Sequence, residues 1–239
     1  MSQHISRKEL KKDQFKETIE HGAEYALSHT RMLWLGGLAL VVVLLSAGGW
    51  RLYSDRQSAK AATGFEDAMK TFEARIRTAG EPEEPGEVTY IDEKNKYLDA
   101  EKKFRDVATK YSMTSPGQTA RYYAALCVGR LGKNDQALKE LAEIAGGSGD
   151  ISGLARFQMA EIYDQTGKPD DAAAQLKLLL DKPSSLVAAP LVRLQLAAHY
   201  RKSNPAEAAR LYEQVKKDFP DTQLSDEADR QLAELTPKS

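Results

Sequence analysis

Apolar residues fall along this 239-residue chain in two ways, as one unbroken block and then as a long periodic stretch. Met32 to Trp50 reads MLWLGGLALVVVLLSAGGW, nineteen residues without a charge, bracketed by Arg31 and Arg51. At about 1.5 Å per residue such a run makes a helix roughly 28 Å long, close to the hydrocarbon thickness of a bilayer. It is apolar on every face, whereas a helix packed on a water-soluble core carries a single apolar stripe. Trp34 and Trp50 sit near its ends, where indole rings favour the headgroup layer. A cleaved signal peptide is the alternative, with Ser46-Ala47-Gly48 as a candidate cut, but such peptides have a shorter charged start and a shorter apolar run. The pattern predicts an uncleaved membrane anchor.

Beyond the anchor the apolar positions take helical spacing, and one block occurs three times. The copies are YYAALCVGRLGKNDQALKEL (Tyr122 to Leu141), FQMAEIYDQTGKPDDAAAQL (Phe157 to Leu176) and LQLAAHYRKSNPAEAARLY (Leu194 to Tyr212). Their second-helix alanines, Ala137, Ala172 and Ala208, are 35 and 36 residues apart. Gly132 and Gly167 end the first helix of the first two copies, and the third has a turn one residue shorter. Ala125, Ala160 and Ala197 mark where two helices touch, followed three residues on by Val128, Tyr163 and Tyr200. A close crossing needs a small residue, and the larger one fills the gap beside it. Leu141, Leu176 and Tyr212 repeat the large residue of the second helix, and Pro220 closes the third copy. These blocks resemble tetratricopeptide repeats, whose period is about 34. The early tryptophan of that family is missing, and the first copy ends in Gly146-Gly147-Ser148-Gly149 instead of proline. The resemblance implies an all-α chain, with a transmembrane helix leading into a right-handed helical solenoid.

The flanks extend the scheme. Tyr97 to Lys110 matches a second helix, with Ala100, Phe104 and Val107 in phase, and Ala59 to Ile76 (Phe65, Met69, Phe72, Ile76) is its expected partner. Between them residues 80–93 form an acidic Pro/Gly loop. Ser225 to Leu235 is a helix that caps the open end. The expected division is therefore a polar leader over 1–31, the anchor over 32–50, and a repeat domain over 51–239 of about four helical pairs plus the cap. In the leader, Ser6 and Glu9 make a capping box and Leu10, Phe15, Ile19, Ala23 and Ala26 a loose stripe. That helix either docks on a partner or membrane, or is a solvated flank that sets topology.

Composition narrows the chemistry. Lys and Arg total 34 against 35 Asp and Glu, a net charge of −1, which argues against general nucleic-acid binding. The lone cysteine, Cys127, lies in an apolar helix and reads as buried filler. Of the four histidines, His4, His21 and His29 lie in the leader, and His199 has no Cys or His at metal-ligand spacing. Gly146 to Gly149 follows a helix and lacks the Gly-Lys-Ser/Thr ending of a phosphate loop. Asp170-Asp171 and Asp226-Glu227 sit in first turns, where carboxylates favour the helix dipole. The expectation is no catalytic, cofactor or metal residue, no small-molecule substrate and no nucleic acid.

The first helices of the family line a concave groove, and that mapping gives three rows here. Tyr122, Phe157 and Leu194 form one row, Leu126, Glu161 and Ala198 the next, and Arg130, Gln165 and Lys202 the third. An aromatic and aliphatic stripe edged by polar groups suits a peptide or a partner helix. The same first row would equally pack against the neighbouring helix pair. Glu83 and Glu84 of the acidic loop have the reach to pair with Arg130 or Lys202 and so cover the groove.

The order of parts, with the junction Gly49-Trp50-Arg51 and then Gln57-Ser58-Ala59-Lys60-Ala61-Ala62 opening a helix into repeats, resembles the inner-membrane ancillary subunits of the bacterial Sec translocon. Asp218 to Leu235 (DFPDTQLSDEADRQLAEL) also resembles the repeats of the periplasmic cell-division coordinators of the Tol–Pal system. The first likeness implies a tethered scaffold that contacts translocon subunits, periplasmic chaperones or exported chains; the second implies an envelope-assembly scaffold without Sec contact. Lys and Arg within about 20 residues of the anchor number three before it and four after, which leaves the positive-inside rule undecided. The short leader and single span favour a cytoplasmic N-terminus and a periplasmic repeat domain in the inner membrane. With the opposite orientation the same repeats would serve a cytosol-facing adaptor.

Overall fold

The computed structural model describes residues 30–78, 80–82 and 86–235. The leader's capping box and stripe, His4, His21, His29, Glu83 and Glu84 lie outside the described residues. The chain divides into two compact units between Arg56 and Gln57. In the first, α1 (Thr30–Phe72) begins with the apolar block. Every side chain from Trp34 to Trp50 is exposed, the large ones by 50 to 80 %.

The second unit takes the end of α1, then β1 (Arg75–Ile76), β2 (Thr89–Tyr90), α2 (Glu93–Lys110), α3 (Ser115–Arg130) and α4 (Asn134–Ala145). It continues with α5 (Asp150–Gln165), α6 (Pro169–Asp181), α7 (Ala189–Ser203), α8 (Pro205–Asp218) and α9 (Gln223–Leu235). From α2 onward each helix packs on the next, while α3 also meets α5 and α7 also meets α9. That sequential stacking of helical hairpins makes an all-α tetratricopeptide-like solenoid.

One short departure occurs near its start. The helix expected to reach Ile76 stops at Phe72, and Ile76 pairs with Tyr90 in a two-residue parallel ladder, Arg75 with Thr89. The segment 80–93 is accordingly not loop throughout, since it contains β2 and the first residue of α2. Val88-Thr89-Tyr90-Ile91 is a run of β-branched and aromatic residues, which suits a pleated strand. Arg75 draws the two ends of the intervening turn together, its guanidinium 2.6 Å from Glu81 and 3.4 Å from Glu87. Asp92 then starts α2 by accepting the Asn95 amide at 2.7 Å.

The hairpin turns follow from single residues. At the end of α3, Gly132 has φ +76, a left-handed conformation that costs glycine nothing. This lets the Gly132 amide reach the Gly129 carbonyl and the Lys133 amide reach the Val128 carbonyl, at 2.9 and 3.2 Å. Gly167 (φ +73) repeats the arrangement at the end of α5, with Lys168 donating to Tyr163 at 2.8 Å. The third turn has no glycine. Asn204 serves both helices there, donating its amide to Tyr200 and accepting from the Glu207 amide on its side chain, which removes one residue from the turn.

The core consists of three buried clusters. The first packs Phe104, Val107, Ala100, Ala120 and Cys127 with Ala61 and Ala68 of α1. Its spaces are filled by rings: Phe104 stands 5.6 Å from Phe65, 6.1 Å from Phe72 and 5.2 Å from Tyr123. The second contains Ala125, Val128, Ala137 and Leu141, and the third Ala160, Ala172, Leu176, Ala197, Ala208 and Tyr212. All six crossing alanines are essentially without exposure, while Tyr163 and Tyr200 pack half-buried beside them. Polar ties stitch neighbours together: Arg105 on α2 bonds Glu140 on α4 at 2.9 Å, and Arg156 on α5 bonds the Ala145 carbonyl at 2.8 Å.

Cys127 is fully buried, and burial pushes its thiol up to about 12. An unfolded thiol ionises near about 8.5, so the buried thiol favours the folded state below that value and this contribution is lost as pH climbs toward 12. The native chain is therefore expected to resist iodoacetamide between neutral and moderately alkaline pH and to alkylate readily in denaturant, as intact mass would show.

Candidate partner-binding surface

The nine groove positions are set by the first helices α3, α5 and α7, and the packing of those helices decides which of them stay open. Tyr122 (7 % exposed) and Leu194 (9 %) are buried, and Phe157 is half-buried against the third core cluster. Tyr122 also meets Tyr123 edge to face at 5.4 Å, and its burial raises the phenol above its ordinary value. The first row is thus engaged in inter-helix packing.

Four of the remaining six come together. Leu126 and Arg130 of α3 line a cleft of about 50 Å³ with Glu161 and Gln165 of α5, closed by Asn134 and Gln158. The contact of α3 with α5 brings them there, since each pair lies one helical turn apart on facing helices. Arg130 and Gln165 are exposed, Leu126 and Glu161 half-buried. Burial raises the Glu161 carboxyl above its ordinary value, and the nearby Arg130 charge opposes this. The cleft offers an apolar wall and both charge signs, which suits a polar side chain or main-chain group of a peptide and is small for a metabolite.

The other two, Ala198 and Lys202, are exposed and line a wider cavity of about 770 Å³. Pro169 and Asp170 at the start of α6 and Leu235 at the end of α9 complete it. His199 also lines this cavity, with Nε2 3.3 Å from Asp164 of α5, tying α7 to α5. On α7, Arg201 reaches Glu234 of α9 at 2.7 Å, so the cap forms part of this wall. Sequence reasoning did not place the cap residues beside the groove; the only signal was the basic pair Arg201-Lys202 ending one helix and Glu234 ending another. Among the described residues no three His, Cys, Asp or Glu side chains converge as a metal site.

The family profile described as Tetratricopeptide repeat-like domain matches residues 25–185. This chain belongs to that family. The match starts ahead of the apolar block and includes it. Among solved structures, the chain is similar to a kinesin light chain of Podosopora anserina with nearly identical TPR-like repeats, at 13% identity and a TM-score of 0.51. The alignment covers 74% of this chain and 86% of that one. A single-substitution variant of the same protein aligns equally well, covering 85% of its chain. At this identity the likeness concerns the fold. No curated protein matches the sequence significantly. Folds of this family are scaffolds that bind proteins or peptides, and they are typically not enzymes.

Proposed function

We propose that this chain is a single-pass membrane protein of the inner membrane, N-terminus in the cytoplasm, whose periplasmic repeats hold protein partners at the exit of the Sec translocon. The observation that carries the reading is the exposed apolar helix in one chain with a scaffold fold. Burying such surface is worth about 25 cal/mol per Å², so a run exposed on all sides needs lipid around it. Its length suits one crossing, and Arg31, Arg51, Trp34 and Trp50 suit the two interfaces. The Sec assignment rests on the resemblance of Gly49-Trp50-Arg51 and the order of parts. Tethering raises the local concentration of partner sites, so a modest cleft suffices to hold translocon subunits, periplasmic chaperones or emerging chains. No cofactor is required.

The test is affinity purification of the full chain from solubilised membranes. Translocon subunits are expected to copurify and to be lost when residues 32–50 are replaced by an unrelated span. Their absence from the intact protein would overturn the assignment. The second reading, an envelope-assembly or division scaffold, is favoured by the likeness of Asp218–Leu235; septal localisation with Tol or peptidoglycan-synthesis proteins in the same eluate would select it.

A further inference from the structure

We propose that the outer edge of β2 takes up an extended, basic segment of another protein as an added strand. In the parallel register Ile76 opposite Tyr90, the Tyr90 carbonyl accepts from the Arg77 amide at 2.9 Å, so the main-chain groups of Tyr90 face β1. Those of Thr89, and the Ile91 amide, consequently face the other way, and they have no hydrogen-bond partner among the described residues. The sheet has two strands only, so β2 is an edge. Flanking it, Val88 is 45 % and Ile91 68 % exposed. Edges of this kind are usually blunted by a lysine or proline on the strand itself, and Val88 to Ile91 contains neither.

Charge selects the occupant. From Arg75 to Asp99 the chain carries seven acidic and four basic residues, and no base falls between Arg77 and Lys94. Arg75 is committed to Glu81 and Glu87, while half-buried Asp92 and exposed Glu93 flank the end of the strand. The fitting partner is therefore a strand that alternates apolar residues, to cover Val88 or Ile91, with lysine or arginine. Main-chain hydrogen bonds supply the affinity in such strand addition and the side chains supply the choice. The edge shares no residue with the two clefts on α3, α5 and α7, and it stands whether or not those clefts are used.

The test uses the full chain in detergent micelles and a short labelled peptide of alternating valine and lysine. Fluorescence anisotropy is expected to show salt-sensitive binding, with the valine–glutamate counterpart weaker by about tenfold or more. Amide exchange should slow at Thr89 and Ile91. Thr89→Pro removes the outward N–H and is compatible with an edge strand, and it should weaken binding by about tenfold. The double change Val88→Ser, Ile91→Ser should weaken it as well, with helical circular dichroism and melting unchanged. Absence of binding, protection on α3 and α5 in place of β2, or full affinity in both variants would overturn the proposal.

Discussion

With arginine at both Leu40 and Val43, the chain is expected to leave the membrane fraction. Both residues lie mid-way along the apolar block and are fully on its surface, exposed by 61 and 62 %. On insertion scales an arginine at the centre of a span costs about 2.5–3.5 kcal/mol, where leucine or valine is slightly favourable, so two together cost about 6 kcal/mol. That exceeds what the rest of a single nineteen-residue span contributes in reserve. Carbonate-washed membranes should retain the native chain and the Leu40→Ala, Val43→Ala control, and should release or lose the double arginine variant. Equal retention of the arginine variant would show that this helix is not what holds the chain to lipid.

The second large effect is expected at Phe104. Its ring is fully buried and touches Phe65, Phe72 and Tyr123, so Phe104→Ala opens a cavity where α1, α2 and α3 meet. Loss of a buried phenylalanine costs about 3–5 kcal/mol, part transfer and part cavity. In a solenoid each repeat leans on its neighbours, and this site lies in the first hairpin. Amide exchange should therefore accelerate first over the end of α1 and over α2, while α7 to α9 keep their protection. Urea unfolding of the full chain gives the size of the loss. A cost below about 1 kcal/mol, or loosening spread evenly over all helices, would contradict the packing described.

The repeats were legible because their signals are local and physically forced. Alanine at each crossing and a large residue beside it recur in all three copies, with glycine at the left-handed cap of the first two, and the helices follow that phasing from Tyr122 to Tyr212. Even the short third turn has a visible cause, since Asn204 caps both helices. The β1–β2 ladder was hidden by the Pro/Gly-rich acidic segment around it, although Val88 to Ile91 has strand chemistry. Two-residue strands carry no periodicity, and their pairing partner lies fourteen residues upstream. The candidate surface was legible only in part. Family phasing named the rows, but how deeply Tyr122, Phe157 and Leu194 sink depends on the neighbouring hairpin, a contact no single repeat encodes. The share of α9 in the second cavity rests on the Arg201–Glu234 pair, 33 residues apart in sequence.

A scaffold domain held outside the inner membrane by one span is accessible to protease from the periplasmic side, which a C-terminally tagged chain in spheroplasts would show. The tag is expected to be digested while the spheroplasts are intact and a cytoplasmic marker is spared. Protection of the tag until lysis would place the repeats in the cytosol and contradict both the translocon reading and its envelope alternative.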